Sequence, residues 1–166
     1  MSHSWVEISL SRLQGNVAAI QEFLSSSTKI IAVVKANAYG HGLEPVSRSL
    51  LDCGIANFAV ATLDEAVDLR RFVPETKILV FQGCLKGEEE AFREHDLTAA
   101  LHDLQSIPEN IKVEVKINTG MTRLGIPWKE AHIQIGKLQS EITGLYSHFA
   151  SSDDDPEFTR LQLERF

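Results

Sequence analysis

The sequence predicts an α/β protein in which parallel strands alternate with helices. Short apolar runs of strand character recur along the chain, and stretches with one apolar helical face separate them, giving about six strand–helix units. Such alternation favours parallel strands joined by right-handed crossovers. Two architectures fit this rhythm, a doubly wound sheet and a (β/α)8 TIM-type barrel. No Gly-x-Gly-x-x-Gly follows the first strand, which weakens the doubly wound alternative, and six units of eight would make the barrel incomplete.

Local signals place the individual elements. Residues 5–8 alternate and are predicted to form a short strand. Six further strands are predicted over 30–35, 57–61, 77–81, 97–101, 112–118 and 142–149. Helices are predicted after a cap at Ser11, over 43–51, after a cap at Thr62, over the acidic segment 88–94 and over 128–138. Glu65 stands at the third helical position after Thr62 and completes a predicted capping box. Residues 162–166 continue a helical pattern, so we expect the chain to be a truncated one.

Composition narrows the classes of function. The 166 residues carry a net charge of −7, which disfavours nucleic acid and anionic membrane surfaces as partners. The opening residues are polar and no long apolar run follows them, so neither a signal peptide nor a membrane span is expected. Cys53 and Cys84 have no metal-type spacing, and we interpret both as reduced thiols of a cytoplasmic protein.

Lys35 is the first candidate functional residue. It follows the apolar run 30–34, and Gly40 and Gly42 after it let the backbone bend into the next element. The sequence therefore places Lys35 at the carboxyl end of a core strand, which is where α/β folds carry their chemistry. One interpretation is a lysine that extends its amine to solvent. The other is a desolvated amine with a lowered pKa that bonds covalently to a carbonyl group.

Lys116 and His148 also stand at predicted strand ends. Alternation places Glu114, Lys116 and Asn118 on one face of the strand 112–118 and apolar residues on the other. In a barrel the polar face would point into the mouth, whereas an edge strand with one wet face is the structural alternative. His148 ends the last predicted strand. A structural histidine is the ordinary interpretation there, and a metal site with the acidic residues 153–155 is disfavoured.

Three segments resemble the alanine racemase family. Residues 33–42, Val-Val-Lys-Ala-Asn-Ala-Tyr-Gly-His-Gly, are similar to the segment that carries the lysine of pyridoxal 5′-phosphate (PLP) in that family. Residues 116–126 resemble the family motif Lys-Val-Asp-Thr-Gly-Met-Gly-Arg-Leu-Gly, and residues 147–150 resemble its Thr-His-Phe-Ala segment. The resemblance implies that 1–166 is the N-terminal part of a PLP-binding barrel, with about six of eight units, and that the family's C-terminal β-domain is absent.

The resemblance also implies roles for five residues. Lys35 would hold PLP and move the substrate's Cα proton on one face. Tyr39 would bind the PLP phosphate, and Arg123 would bind the phenolic oxygen of its ring. Lys116 matches a lysine that family members often carry as a carbamate. His148 would support the arginine that contacts the pyridine nitrogen, and no metal is implied.

Two departures from the motif concern the surroundings of Arg123. Asn118 stands where the family has Asp, and Thr122 stands where it has Gly. The first change removes a negative charge near two cations, Lys116 and Arg123. A carbamate on Lys116 would restore some of that charge.

The implied activity is the interconversion of L-alanine and D-alanine, which supplies D-alanine for peptidoglycan. The full-length protein is expected to be a homodimer, in which a tyrosine of the partner subunit serves the second face of the substrate. An amino acid is the expected small-molecule substrate. Three alternatives stay open: a racemase of serine, lysine or arginine, a PLP-binding barrel without catalysis, and an inert fragment that folds only with a partner chain.

Overall fold

The structure is a computed structural model that describes residues 5–103, 110–136 and 140–166. The chain divides into two compact units, Met1–Leu79 and Val80–Phe166. Each unit repeats the strand–helix alternation predicted from the sequence. No helix in the described ranges is both long enough and apolar enough to cross a membrane.

The first unit is built around two paired strands. Its elements in order are α1 (Leu10–Phe23), β1 (Ala32–Val33), α2 (Lys35–Tyr39), α3 (Leu43–Asp52), β2 (Asn57–Val60), α4 (Leu63–Arg70) and all but the last residue of β3 (Lys77–Val80). Strands β1 and β2 run parallel, with Ala32 opposite Phe58. The core consists of apolar side chains with no exposed surface, namely Phe58, Ala59, Val60, Ala66, Leu69, Val73 and Ile78.

The second unit is built around one central strand. Its elements are α5 (Glu89–Glu94), β4 (Thr98–Leu101), β5 (Lys112–Asn118), β6 (Ile126–Pro127), α6 (Trp128–Ile135), β7 (Glu141–Tyr146) and α7 (Pro156–Arg165). Val113 of β5 is paired with Ala99 of β4 on one side and with Ile142 of β7 on the other, both in parallel. Strand β5 is therefore not an edge strand, and the alternative of one wet face is wrong.

Most predicted elements are present, but the core strand predicted over 30–35 is reduced to the two residues of β1, which are not buried, and the strand predicted over 142–149 ends at Tyr146, before His148. Three further differences concern residues 5–8, the cap of α1 and strand β6. Residues 5–8 form no strand. Helix α1 is capped by Ser9 and not by Ser11, because the Ser9 hydroxyl accepts the Arg12 N–H and places Ser11 inside the first turn. Strand β6 was not predicted, because two residues are too short for a periodic pattern.

The predicted cap of α4 is half right. The Thr62 hydroxyl accepts the Glu65 N–H at 3.4 Å, as in a capping box. The Glu65 carboxylate, however, does not return to the Thr62 N–H; it accepts the N–H of Ala61 and of Ala36. The predicted helix 128–138 ends at Ile135, and positions 137 and 138 lie outside the described residues.

Candidate active site

Lys35 opens a left-handed turn at the carboxyl end of β1. Ala36, Asn37, Ala38 and Tyr39 all have φ between 52° and 56°, which is the left-handed helical region. Residues other than glycine pay roughly 1–2 kcal/mol each in that conformation, because Cβ crowds the backbone. The sequence predicted a strand-to-helix loop here. The bend predicted at Gly40 and Gly42 is present. The left-handed backbone of four consecutive residues other than glycine could not be predicted from the composition of the segment.

Backbone hydrogen bonds define the turn. The Ala38 N–H donates to the Val34 carbonyl at 2.9 Å, and the Gly40 N–H donates to the Ala36 carbonyl at 3.0 Å. Val34 itself is buried and tied to β2, since its N–H donates to the Ala59 carbonyl at 2.9 Å. The turn is thus anchored to the sheet at Val34, the residue that precedes Lys35.

Two side chains complete the anchoring. The Asn37 side-chain oxygen accepts the Leu43 N–H at 2.7 Å, which joins the turn to the start of α3. The Glu65 carboxylate accepts the Ala36 N–H at 2.7 Å and so joins the turn to α4. A strained backbone persists only when its surroundings over-determine it, and such strain concentrates at functional sites.

The turn places two of the candidate residues near each other in the chain. Lys35 is half-buried, and Tyr39 is 58% exposed. His41, which follows the turn, is committed to local structure through a 2.9 Å contact between its Nδ1 and the Ala38 carbonyl. A primary amine and a phenol are therefore presented by one hydrogen-bonded five-residue segment, Lys35–Tyr39.

In the second unit, Lys116 lies buried on the polar face of β5. Only 6% of Lys116 and 6% of Glu114 is exposed, so the polar face that alternation predicted is turned away from solvent. The Lys116 ammonium lies 5.9 Å from the ring centre of Tyr146, in cation–π range. Desolvation, and next the nearby Arg123 guanidinium, lower the pKa of Lys116 below its ordinary value. Burial and then the Glu114 carboxylate raise the pKa of Tyr146.

Arg123 belongs to the loop that follows β5, and Gly125 lets this loop approach the strand. Gly125 has φ +115°, and a Cβ at that position would stand 2.9 Å from the Lys116 carbonyl oxygen. The Asn118 side-chain oxygen accepts the N–H of Gly120 at 3.2 Å and of Thr122 at 3.0 Å. An amide oxygen therefore serves both hydrogen bonds of the loop without a negative charge.

Thr122 occupies a strained position in the same loop. Its φ is +57°, a region that β-branched residues rarely adopt, and the family motif has glycine at the matching place. Its hydroxyl donates to the Gly120 carbonyl at 3.2 Å. The departure seen in the sequence therefore coincides with a backbone conformation that glycine adopts without strain.

His148 lies two residues beyond β7 and its backbone is held by a buried glutamine. Gln162 of α7, which is 1% exposed, donates from Nε2 to the His148 carbonyl at 3.1 Å. The same amide accepts the Ala150 N–H at 2.9 Å. The segment that carries His148 is thereby fixed to α7. Within the described ranges, no three His, Cys, Asp or Glu side chains form a group that could hold a metal ion.

Three residues, two on helices and one after a strand, were not recognised as site residues from the sequence. Glu65 was interpreted only as part of a helix cap, and Gln162 carried no signal because polar residues near a chain end are usually solvated. His102 directly follows β4, so it has the same feature that indicated Lys35, a polar side chain at the carboxyl end of a strand. Its Nε2 lies 2.6 Å from the Phe81 carbonyl, and its buried Nδ1 has no hydrogen-bond partner in the described part of the chain.

The alternation of parallel strands with helices, with polar side chains after the strand ends, defines an α/β chain of the TIM-type class. Residues 8–166 match the family model described as alanine racemase, N-terminal domain, and the chain belongs to that family. The alanine racemase of Chlorobaculum tepidum is 36% identical over 176 residues, covering 96% of this chain and 46% of that protein. The alanine racemase of Syntrophobacter fumaroxidans is 39% identical over 181 residues, covering 100% of this chain and 48% of that protein.

Solved structures agree with this assignment. The alanine racemase from Bacillus anthracis with bound L-Ala-P superimposes with a TM-score of 0.87 at 32% identity, covering 100% of this chain and 47% of that chain. The enzyme from E. faecalis gives a TM-score of 0.85 at 27% identity. These likenesses confirm the predicted fold class, an α/β fold of the incomplete TIM-type barrel kind. The chain spans about half the length of the curated relatives it matches.

Proposed function

We propose that this chain is the lysine-bearing, N-terminal portion of a PLP-dependent alanine racemase. The observation that carries the proposal is the left-handed turn, which presents the Lys35 amine two residues after β1 in a segment of the matched family. An amine fixed by a strained but well-bonded backbone suits a reaction in which it must meet one carbon atom from one side.

The residues present fit PLP by the chemistry of their donors. The Lys35 amine suits an aldehyde carbon, the Tyr39 hydroxyl suits a phosphate oxygen, and the Arg123 guanidinium suits a phenolic oxygen. Bound PLP stabilises the negative charge that develops at the substrate's Cα. We assign Lys35 as the residue that holds PLP and as the base on one face of Cα. Tyr39, Arg123 and His148 serve the binding and support of PLP.

We further propose that Lys116 reacts with carbon dioxide to form a carbamate. The uncharged amine attacks the carbon of CO2, a C–N bond forms and one proton is released to solvent. Burial and Arg123 favour the uncharged amine, because both lower its pKa. The product carries a negative charge beside Arg123, where Asn118 supplies none.

The finer features of the proposal concern the complete protein. We propose that it acts as a homodimer in the cytoplasm and supplies D-alanine for peptidoglycan, with a partner tyrosine as the base on the second face of Cα. Rate in such a reaction comes from two bases on opposite faces of one carbon.

The proposal is tested by incubating the chain with PLP and L-alanine in deuterated water. Deuterium at Cα and D-alanine are assayed separately, so that one-sided proton removal is distinguished from inversion. We expect deuterium to enter Cα of L-alanine and to enter about 10²–10⁴ times more slowly in Lys35→Arg, since a guanidinium stays protonated. Lys29→Arg, an exposed lysine before β1, is the matched control. Equal exchange in wild type and Lys35→Arg would refute the assignment of Lys35.

For D-alanine, we expect formation at least about a hundredfold slower than deuterium exchange, because the second face lacks its base. D-alanine appearing as fast as deuterium would contradict the need for a second base outside these residues. An exchange rate no higher than with PLP alone would contradict catalysis by this chain.

A further inference from the structure

We propose that Glu65 is a positioning residue for Lys35, which it holds through the backbone peptide that joins Lys35 to Ala36. This inference rests on the proposed function, because positioning the Lys35 amine matters only if that amine holds PLP. The Glu65 carboxylate accepts hydrogen bonds from two backbone N–H groups, so it acts on the chain that carries the amine.

The peptide between Lys35 and Ala36 lies where the backbone enters the left-handed region of φ and ψ. Ala36 is the first residue of the turn with positive φ. Its N–H points to Glu65 Oε1 at 2.7 Å. Holding that N–H fixes the plane of the peptide, and with it the direction in which the Lys35 side chain leaves the strand end.

The second oxygen of the Glu65 carboxylate is bonded to the end of the neighbouring strand β2. Glu65 Oε2 accepts the Ala61 N–H at 2.8 Å, just after β2 ends. Strand β2 is paired in parallel with β1. One carboxylate therefore joins the carboxyl ends of two neighbouring strands, and the turn cannot rotate without breaking a charge-assisted hydrogen bond.

The helix itself does not need this carboxylate. The Thr62 hydroxyl already caps α4 by accepting the Glu65 N–H. In an ordinary capping box the glutamate side chain would return to the cap residue. Here it reaches Ala36, 29 residues away along the chain. Because Thr62 caps the helix and the Glu65 carboxylate binds Ala36, substitutions of these two residues test the capping role and the positioning role separately.

The first measurement uses the wild-type chain without PLP. Amide hydrogen exchange is followed at Ala36 and at Ala61, with the fully buried strand residue Val60 as an internal reference for global unfolding. We expect the Ala36 amide to be protected, and the Ala61 amide to be protected with it. An Ala36 amide that exchanges as fast as in an unstructured chain would overturn the proposal, whatever the variants do.

The second measurement compares Glu65→Gln with Thr62→Ala and Glu88→Gln. Glutamine offers one acceptor oxygen in place of two, so one N–H of the pair must lose its partner. We expect Ala36 protection relative to Val60 to fall about tenfold or more in Glu65→Gln. Thr62→Ala weakens the cap of α4 without touching the carboxylate. Glu88→Gln alters a glutamate that accepts one loop N–H elsewhere, that of Leu85 at 2.9 Å.

The third measurement reads the position of the Lys35 amine. PLP is added, the C=N bond to the lysine is reduced with borohydride, and the rate of labelling at Lys35 is followed by peptide mass mapping. We expect Glu65→Gln to be labelled about tenfold more slowly and the two controls to match wild type. Glu65→Gln labelled as fast as wild type would overturn the positioning role. If wild type itself is not labelled, the proposed function fails while the exchange measurement still decides whether Glu65 holds the turn.

Discussion

Gln162 of α7 donates a hydrogen bond from Nε2 to the hydroxyl of Thr119, 3.1 Å away, and thereby joins the last helix to the residue that follows β5. Thr119 is 1% exposed and also shares a 2.7 Å hydroxyl contact with Ser147. The chain segments leading to Arg123 and to His148 are thus held by one small buried polar network. In such a network every member has a partner, and loss of one leaves the others unsatisfied.

Replacing Gln162 with leucine is expected to destabilise the chain strongly. The change keeps a similar volume but removes the buried hydrogen bond to the Thr119 hydroxyl and the two part-buried ones to Ala150 and His148, at about 1–3 kcal/mol in total. Chemical denaturation measures the free energy of unfolding. Gln134→Leu, which breaks only a contact with Glu130 on α6, should change it by less than about 0.5 kcal/mol. Equal effects of the two substitutions would show that the network contributes nothing.

Replacing Ala36 with glycine is expected to leave stability unchanged or to raise it by up to about 1 kcal/mol. Glycine relieves the left-handed strain of Ala36, and this gain offsets the larger backbone entropy of glycine in the unfolded chain. Ala18→Gly, at an exposed position inside α1, should lower stability by about 0.5–1 kcal/mol. The free energies of unfolding of both variants are compared with wild type. Ala36→Gly as destabilising as Ala18→Gly would contradict the left-handed turn.

The pKa of Lys116 predicts a pH dependence of stability. In the folded chain Lys116 releases its proton at a lower pH than its ordinary value of about 10.5, so between these two pH values the unfolded chain binds more protons. The free energy of unfolding contributed by this residue therefore rises with pH in that window and is constant above it. Lys116→Met should lack the rise, whereas Lys112→Met on the same strand should retain it.

This comparison is made by urea denaturation from pH 7 to 10.5 in buffer free of carbon dioxide, so that no carbamate forms. Arg123→Gln should reduce the rise without removing it, because Arg123 is the second cause of the lowered pKa and desolvation is the first. A wild-type curve parallel to that of Lys116→Met throughout the window would contradict the lowered pKa of the buried Lys116 amine.

Cys84 is expected to be a slow nucleophile. Burial, and next the carboxylates of Glu89 and Glu88, raise the pKa of the Cys84 thiol to about 11. Only the thiolate reacts, so alkylation by iodoacetamide at pH 8 should be roughly ten- to hundredfold slower than in the urea-unfolded chain. Mass mapping separates Cys84 from Cys53. Folded and unfolded chains that react at Cys84 with one rate would contradict the raised pKa, and Glu89→Gln should speed the reaction in the folded chain.

The sequence was sufficient for features that depend on periodicity. Strand β5 was predicted with its observed bounds, because alternation of apolar and polar residues over seven positions is unambiguous. The helix from Leu43 and the cap at Thr62 were also predicted, since both depend on local propensity. The expected strand at 5–8 is absent, because a short alternating segment forms a strand only when a neighbour pairs with it.

The parts that could not be predicted depend on contacts distant in sequence. Nothing local to Glu65 shows that its carboxylate binds Ala36, and nothing local to Gln162 shows that it lies buried against Thr119. The burial of Lys116 likewise depends on strands β4 and β7 on both sides of β5. Residue types at strand ends indicated where chemistry would lie, whereas the supporting hydrogen bonds required the fold.

The most direct test of the account is to find which lysine bonds to PLP. The chain is incubated with PLP, reduced with borohydride and digested, and the modified peptide is identified by mass spectrometry. We expect the pyridoxyl group on Lys35, and we expect Lys35→Arg to abolish it while Lys116→Arg leaves it in place. A label on Lys116, or one that persists at the same level in Lys35→Arg, would contradict the assignment of Lys35 as the cofactor-bearing residue.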